Sequence, residues 1–184
     1  MQPLTSERLR LRMWTLDDVD AVLDMYSRWE VQRFIGREPR LMRDRDEAVA
    51  TITRWNGIDE PEHGIWALEH AETGRVLGTL LLKSIPASGT GAPPIPSGDT
   101  EIGWHLHPDA WGHGYATEAA AAVLRHAFAM GLPTVVAVTY PENTASQAVC
   151  RRLGMEHLGQ TDRYYDVRCE LFSITATHQA LPPA

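Results

Sequence analysis

Leu9, Leu11 and Met13 alternate with Arg8, Arg10 and Arg12, a period of two that predicts a strand with one wet face. Thr15, followed by Asp17 and Asp18, reads as a helix cap with acids in the first turn. Val19, Val22, Leu23 and Tyr26 then fall at helical spacing. Asp44 with Glu47 three residues on marks a second helix start. That helix carries Val49, Ile52 and Trp55 and stops at Asn56 and Gly57.

"GIWALEH" and "RVLGTLLLKSI" read as two strands joined by a tight turn at Glu72, Thr73 and Gly74. Residues 85–100 are rich in Pro, Gly and Ser and show no period, which predicts a long loop, a candidate lid over a site. A fourth strand follows from Glu101, and then an alanine-rich helix closed by Gly131, Leu132 and Pro133. "TVVAVTY" is a β-branched run of the kind buried on both faces. "PENTASQAVCRRLG" reads as a helix capped at Asn143 and closed at Gly154, with strands in "MEHLGQ" and "VRCELFSITA". The pattern predicts one mixed α/β domain over 1–184, with about seven strands and about four helices.

Composition narrows the possibilities. A hydrophobic content of 43% in 184 residues supports a folded core. The formal net charge of -7 argues against a nucleic-acid partner and is compatible with a cationic substrate such as an amine. Two cysteines, Cys150 and Cys169, without CxxC spacing provide neither a disulfide framework nor a zinc motif. With no leader and no long apolar run, the expected setting is the cytoplasm, with no membrane partner.

The most informative stretch is "EIGWHLHPDAWGHGYATEA", residues 101–119. It drives two close glycines, Gly112 and Gly114, straight into a helix. The first-turn amides there lack internal partners and sit at the positive end of the helix dipole, which suits a phosphate. A plain turn is the alternative, and neither a P-loop nor the three-glycine dinucleotide pattern is present. Together with "NTASQAVCRRLGM" and the opening "LTSERLRLRMWTLDDVD", this stretch resembles the GNAT superfamily of acyl-CoA-dependent N-acetyltransferases. It is most similar to the branch that includes the ribosomal-protein N-terminal (alanine/serine) acetyltransferases.

The resemblance implies a twisted mixed sheet whose middle strands, 100–107 and 134–140, splay apart to admit the pantetheine arm of acetyl-CoA. It implies that the backbone from Trp111 and Gly112 through His113, Gly114, Tyr115, Ala116 and Thr117 holds the pyrophosphate. Trp111 stands where a Gln or Arg usually opens that loop. Trp104 to Leu106 are expected to supply backbone donors to the thioester carbonyl, as in an oxyanion hole. Asn143 is both a helix cap and an expected contact of the CoA arm, and Ser146 one turn on could reach the thioester.

A Tyr commonly protonates the departing thiolate at the position of Cys150, so this chain departs from the pattern. Ser146, water or no acid at all are the alternatives. Glu101 is the first candidate for the base that takes the amine proton, and His105 and His107, four and six residues further along and on the same strand face if the alternation holds, are others. His105, His107, Asp109 and His113 also allow a metal reading, which Pro108 and the glycines weaken, so no metal is expected. Tyr26, Trp29, Phe34 and Trp55, with Glu30 and Glu38 near them, fall where the resemblance implies an acceptor slot, with core packing as the alternative, and Tyr140 either lines that slot or covers the core.

The expected activity is acetyl transfer from acetyl-CoA to a primary amine by direct attack, the acceptor being a protein N-terminus or a small molecule. A homodimer is an expected assembly. A sensor that binds acyl-CoA without catalysis is the competing class, kept open by Cys150.

Overall fold

The computed structural model describes residues 2–58, 60–89, 94–177 and 181. An eight-stranded mixed sheet runs in the order β1-β2-β3-β4-β5-β6-β8-β7. Its strands are β1 (Leu4–Thr5), β2 (Leu9–Arg12), β3 (Gly64–His70), β4 (Val76–Pro86), β5 (Pro96–Leu106), β6 (Thr134–Thr139), β7 (Glu156–Thr161) and β8 (Cys169–Thr175). The helices are α1 (Val19–Tyr26), α2 (Trp29–Gln32), α3 (Arg45–Asn56), α4 (Tyr115–Ala129) and α5 (Thr144–Arg152).

Helices cover both faces of the sheet. On one face the alanines of α4, Ala119 to Ala121 and Ala127, pack with Leu9, Leu11, Leu80, Leu82, Ile102 and Phe172. Small side chains let this helix lie close to the strands. On the other face α1 and α3 bring Val22, Met25, Tyr26 and Ile52 onto Trp14 and Ala67. β4 is therefore buried on both faces through Leu77 to Leu82, which explains its unbroken apolar run.

The two helix starts in the first third follow their caps. Asp44 accepts the Glu47 amide at 3.0 Å and opens α3. Thr15 opens a short 3₁₀ turn, Leu16–Asp18, that runs into α1, and its amide donates to Asp18 Oδ2 at 2.8 Å. Asp18 is also held by Arg12 through two bonds of 2.8 and 2.9 Å, so the strand and the helix entry are tied by one buried carboxylate.

Three features differ from the sequence pattern. β1 is a two-residue strand too short to show a period, and α2 is a single helical turn. The expected loop at 85–100 is narrower than its composition suggests. β4 runs on to Pro86 and β5 begins at Pro96, with Pro86 opposite Pro96 and the Ala87 amide bonded to Ile95 O at 2.8 Å. The hairpin tip leans on the β7–β8 turn, where Ser88 N donates to Arg163 O at 2.7 Å. Residues 90–93, the middle of the candidate lid, lie outside the described residues. No helix among the described residues is long and apolar enough to cross a membrane.

Candidate active site

β5 and β6 run parallel but share a single register pair among the described residues, Glu101 with Val136. Beyond it the strands part. His107 N donates to Leu77 O at 2.9 Å, and antiparallel ladders alternate, so Trp104 and Leu106 turn their backbone groups away from β4 and into the gap. Trp111 closes the far end, its indole Nε1 donating to Leu106 O at 2.9 Å. A sequence pattern cannot show that bond. It gives Trp111 a structural task at the head of the glycine turn.

A cleft of about 1160 Å³ occupies the gap and runs through the sheet. One end is the mouth of α4. Gly114 is the N-cap at φ 81° and Gly112 lies at φ 79°, both in the left-handed region that favours glycine. A Cβ on Gly112 would meet nothing within 4 Å, so the backbone is bare on the side that opens to solvent. Trp111, Gly112, His113, Gly114, Tyr115, Ala116 and Thr117 all line the cleft. Thr117 Oγ1 is buried there without a hydrogen-bond partner. Glu118, which would repel an anion, is turned back onto Ser6 and Arg8 at 2.7 and 2.6 Å.

α5 forms the facing wall. Asn143 Oδ1 accepts the Ser146 amide at 3.2 Å as a helix cap, and both residues line the cleft. Cys150 does not. It is fully buried in the core, where burial pushes its thiol up to about 12, so it is not placed to protonate a leaving thiolate.

The opposite end holds the side chains of the other sheet face. Glu101 is 9% exposed and lines the cleft. Its Oε2 accepts a hydrogen bond from the Tyr165 hydroxyl and lies 3.3 Å from Lys83 Nζ. Lys83 in turn donates to the Tyr165 oxygen at 2.7 Å. Sequence patterning missed both partners. Lys83 sits directly across the ladder from Glu101, which only the register reveals. Tyr165 comes from the turn before β8, where two adjacent tyrosines in a polar segment were the only signal.

The histidines separate. His105 lines the cleft, with Nδ1 2.9 Å from the Tyr26 hydroxyl. Burial, with Lys83 nearby, pushes it down to about 4, so it stays neutral at neutral pH and is a poor base. His107 leaves the cleft and pairs with Asp24 at 3.0 Å. His113 stacks on Tyr115, and Asp109 binds Arg75 at 2.7 Å. These side chains do not converge, and no three-residue metal-ligand cluster exists among the described residues.

Of the expected acceptor aromatics, Phe34 lines the cleft beside Tyr140, with ring centroids 6.2 Å apart. Tyr26 and Trp55 pack with Trp14 in the core instead, and Trp29 is exposed outside the cleft. Glu30 and Arg33 reach the cleft, whereas Glu38 does not.

Comparison with known proteins agrees with this geometry. The model of the acetyltransferase (GNAT) domain family matches residues 8–156. The uncharacterized N-acetyltransferase YoaA of Bacillus subtilis is 28% identical over 163 residues, 88% of this chain and 86% of that protein. A GNAT-family acetyltransferase from Bacillus anthracis superposes with a TM-score of 0.76 at 22% identity, covering 95% of this chain and 99% of that one. Mycobacterium smegmatis RimJ, solved in complex with CoA-disulfide, superposes with a TM-score of 0.73 at 23% identity over 97% of this chain and 88% of its own.

Proposed function

From the premise that this chain belongs to the GNAT family of acetyl-CoA-dependent N-acetyltransferases, we propose that it acetylates an α-amino group, with Glu101 as the base. The observation that carries this reading is a single cleft with a bare helix mouth at one end and a buried carboxylate at the other. Between them lie the backbone groups of Trp104 and Leu106, where β5 leaves β6.

Each part has a task. The amides at Gly112 to Thr117 and the dipole of α4 receive the pyrophosphate. Asn143 and Ser146 border the pantetheine arm, and backbone amides in the gap polarise the thioester carbonyl. The acceptor nitrogen attacks that carbonyl, its proton passes to Glu101, and the C–S bond breaks to release CoA. Ser146, which lines the cleft on α5, offers its hydroxyl as a hydrogen-bond donor to the departing thiolate, which takes its proton from solvent. An α-amino group, with a pKa of about 8, loses its proton more readily than a lysine near 10.4, which suits a site with one carboxylate as base.

The acceptor end favours something narrow. The Tyr140 hydroxyl donates to Gly36 O at 2.8 Å, and Arg37 lies 3.6 Å from Asp166. These contacts join the segment after α2 to β6 and to the β7–β8 turn. A chain end suits such an opening, and a small-molecule amine does so equally well.

The test is to incubate the protein with acetyl-labelled acetyl-CoA and a panel of amines. The panel holds alanyl and seryl tripeptide amides, free amino acids, an Nα-blocked lysine and spermidine. Label on α-amino groups supports the proposal. Label confined to lysine or spermidine overturns the α-amino assignment.

A further inference from the structure

We infer that Lys83 and Tyr165 are positioning residues that clamp one oxygen of Glu101 and leave the other to act on the acceptor. The inference rests on Glu101 as the base proposed above.

The three side chains form a closed cluster. Lys83 and Glu101 are cross-strand partners on β4 and β5, so their side chains rise from the same face. Lys83 Nζ donates to the Tyr165 oxygen at 2.7 Å, and the Tyr165 hydroxyl donates to Glu101 Oε2. Lys83 also faces that same Oε2 at 3.3 Å. Both contacts thus fall on one carboxylate oxygen. Oε1 takes no hydrogen bond or ion pair among the described residues. All three residues line the cleft.

The backbone beneath Tyr165 is built for that task. Tyr165 and Asp166 hold φ of 59° and 55°, a left-handed conformation that bulky residues adopt only when their surroundings impose it. Asp166 provides the restraint. Its carboxylate accepts the Gly89 amide at 2.8 Å and faces Arg37, and its own amide donates to Ser88 Oγ at 3.0 Å. The neighbouring Tyr164 is buried and donates to Asp99 Oδ2 at 2.7 Å. The β4–β5 hairpin tip therefore holds a strained turn whose product is the Tyr165 hydroxyl on Glu101. Burial, with the Glu101 charge beside it, raises the Tyr165 phenol far above its ordinary range, so it remains a donor.

A consequence concerns charge. Lys83 already occupies the cationic position beside Glu101, so an acceptor arriving as an ammonium gains less from that carboxylate than it would from a bare one. The clamp favours an amine that arrives neutral.

The experiment measures kcat and KM on the full chain with an alanyl tripeptide amide and with Nα-acetyl-lysine amide. The variants are Tyr165→Phe, Lys83→Met, Lys83→Arg and Glu101→Gln, with the Tm and acetyl-CoA affinity of each. Tyr165→Phe and Lys83→Met are expected to lower kcat on the tripeptide about tenfold to a hundredfold, the scale of a misplaced catalytic group. Acetyl-CoA affinity should stay within about twofold, since the cluster lies away from the helix mouth. Lys83→Arg should recover most of the loss, and Lys83→Met should raise the relative rate on the lysine amide.

Unchanged kcat in Tyr165→Phe and Lys83→Met, with Glu101→Gln inactive, overturns the clamp and leaves the base intact. Full activity in Glu101→Gln overturns the base itself. No product from the wild type on the tripeptide overturns both.

Discussion

Glu101 and Val136 face each other at the point where β5 and β6 separate. From that pair onward the two strands exchange no ladder pairing among the described residues, and the cleft begins. A carboxylate at this apex is within one strand of Lys83 and one turn of Tyr165, yet borders the same space as the α4 mouth. The proposed chemistry follows from this placement, because base and donor site must share one enclosed volume.

The phosphate role of the α4 mouth is tested with Gly114→Asn and Gly114→Asp. Both side chains tolerate the left-handed conformation at φ 81° and have nearly the same shape. They differ in charge. The Asp variant is expected to bind acetyl-CoA about tenfold more weakly than the Asn variant in calorimetry, because it places a like charge beside the pyrophosphate. Equal affinities would remove the anion from this helix mouth.

Trp111→Phe deletes the indole N–H that satisfies Leu106 O. A lost hydrogen bond of this kind costs about 1 kcal/mol. In a chain of this size the Tm should fall by about 2–4 °C. An unchanged Tm would mean that the bond does not hold the end of β5.

Asp18 gives the fold a specific acid sensitivity. Burial opposes its charge, but the Arg12 guanidinium and the Thr15 amide outweigh burial and hold the carboxyl below its ordinary 3.8. A depressed carboxyl contributes stability that is complete above the unfolded value and is lost as pH falls through the folded one. Wild-type stability should therefore drop as pH falls below about 4. Asp18→Asn should cost about 2 kcal/mol at pH 7, the scale of a hydrogen bond to a charged group, and flatten that decline, read from urea melts at several pH values. Parallel pH curves for the two proteins would contradict this assignment.

Local chemistry was legible in the sequence, and register was not. Asp44 and Asn143 announce their helices because a cap needs only residues within one turn. Gly112 and Gly114 stand out for the same reason. Glu101 could be named from its place before "IGW", but its partners come from β4 and from a turn 64 residues later. Nothing local to Lys83 or Tyr165 encodes that meeting. The prolines and glycines of residues 85–100 hid the hairpin, since Pro86 and Pro96 interrupt the alternation that marks a strand. The histidines misled in the opposite direction. His105 and His107 share a strand face, yet Tyr26 takes one inside the cleft and Asp24 takes the other outside it.

The most direct test of the account is transfer of labelled acetyl from acetyl-CoA to one pool of amines by the wild type and by Glu101→Gln in parallel. Label is expected on α-amino groups with the wild type, and about 10²–10⁴-fold slower labelling with the variant. Both proteins should bind acetyl-CoA with the same affinity. Equal labelling by the two proteins, or bound acetyl-CoA with no label passed to any amine, would contradict it.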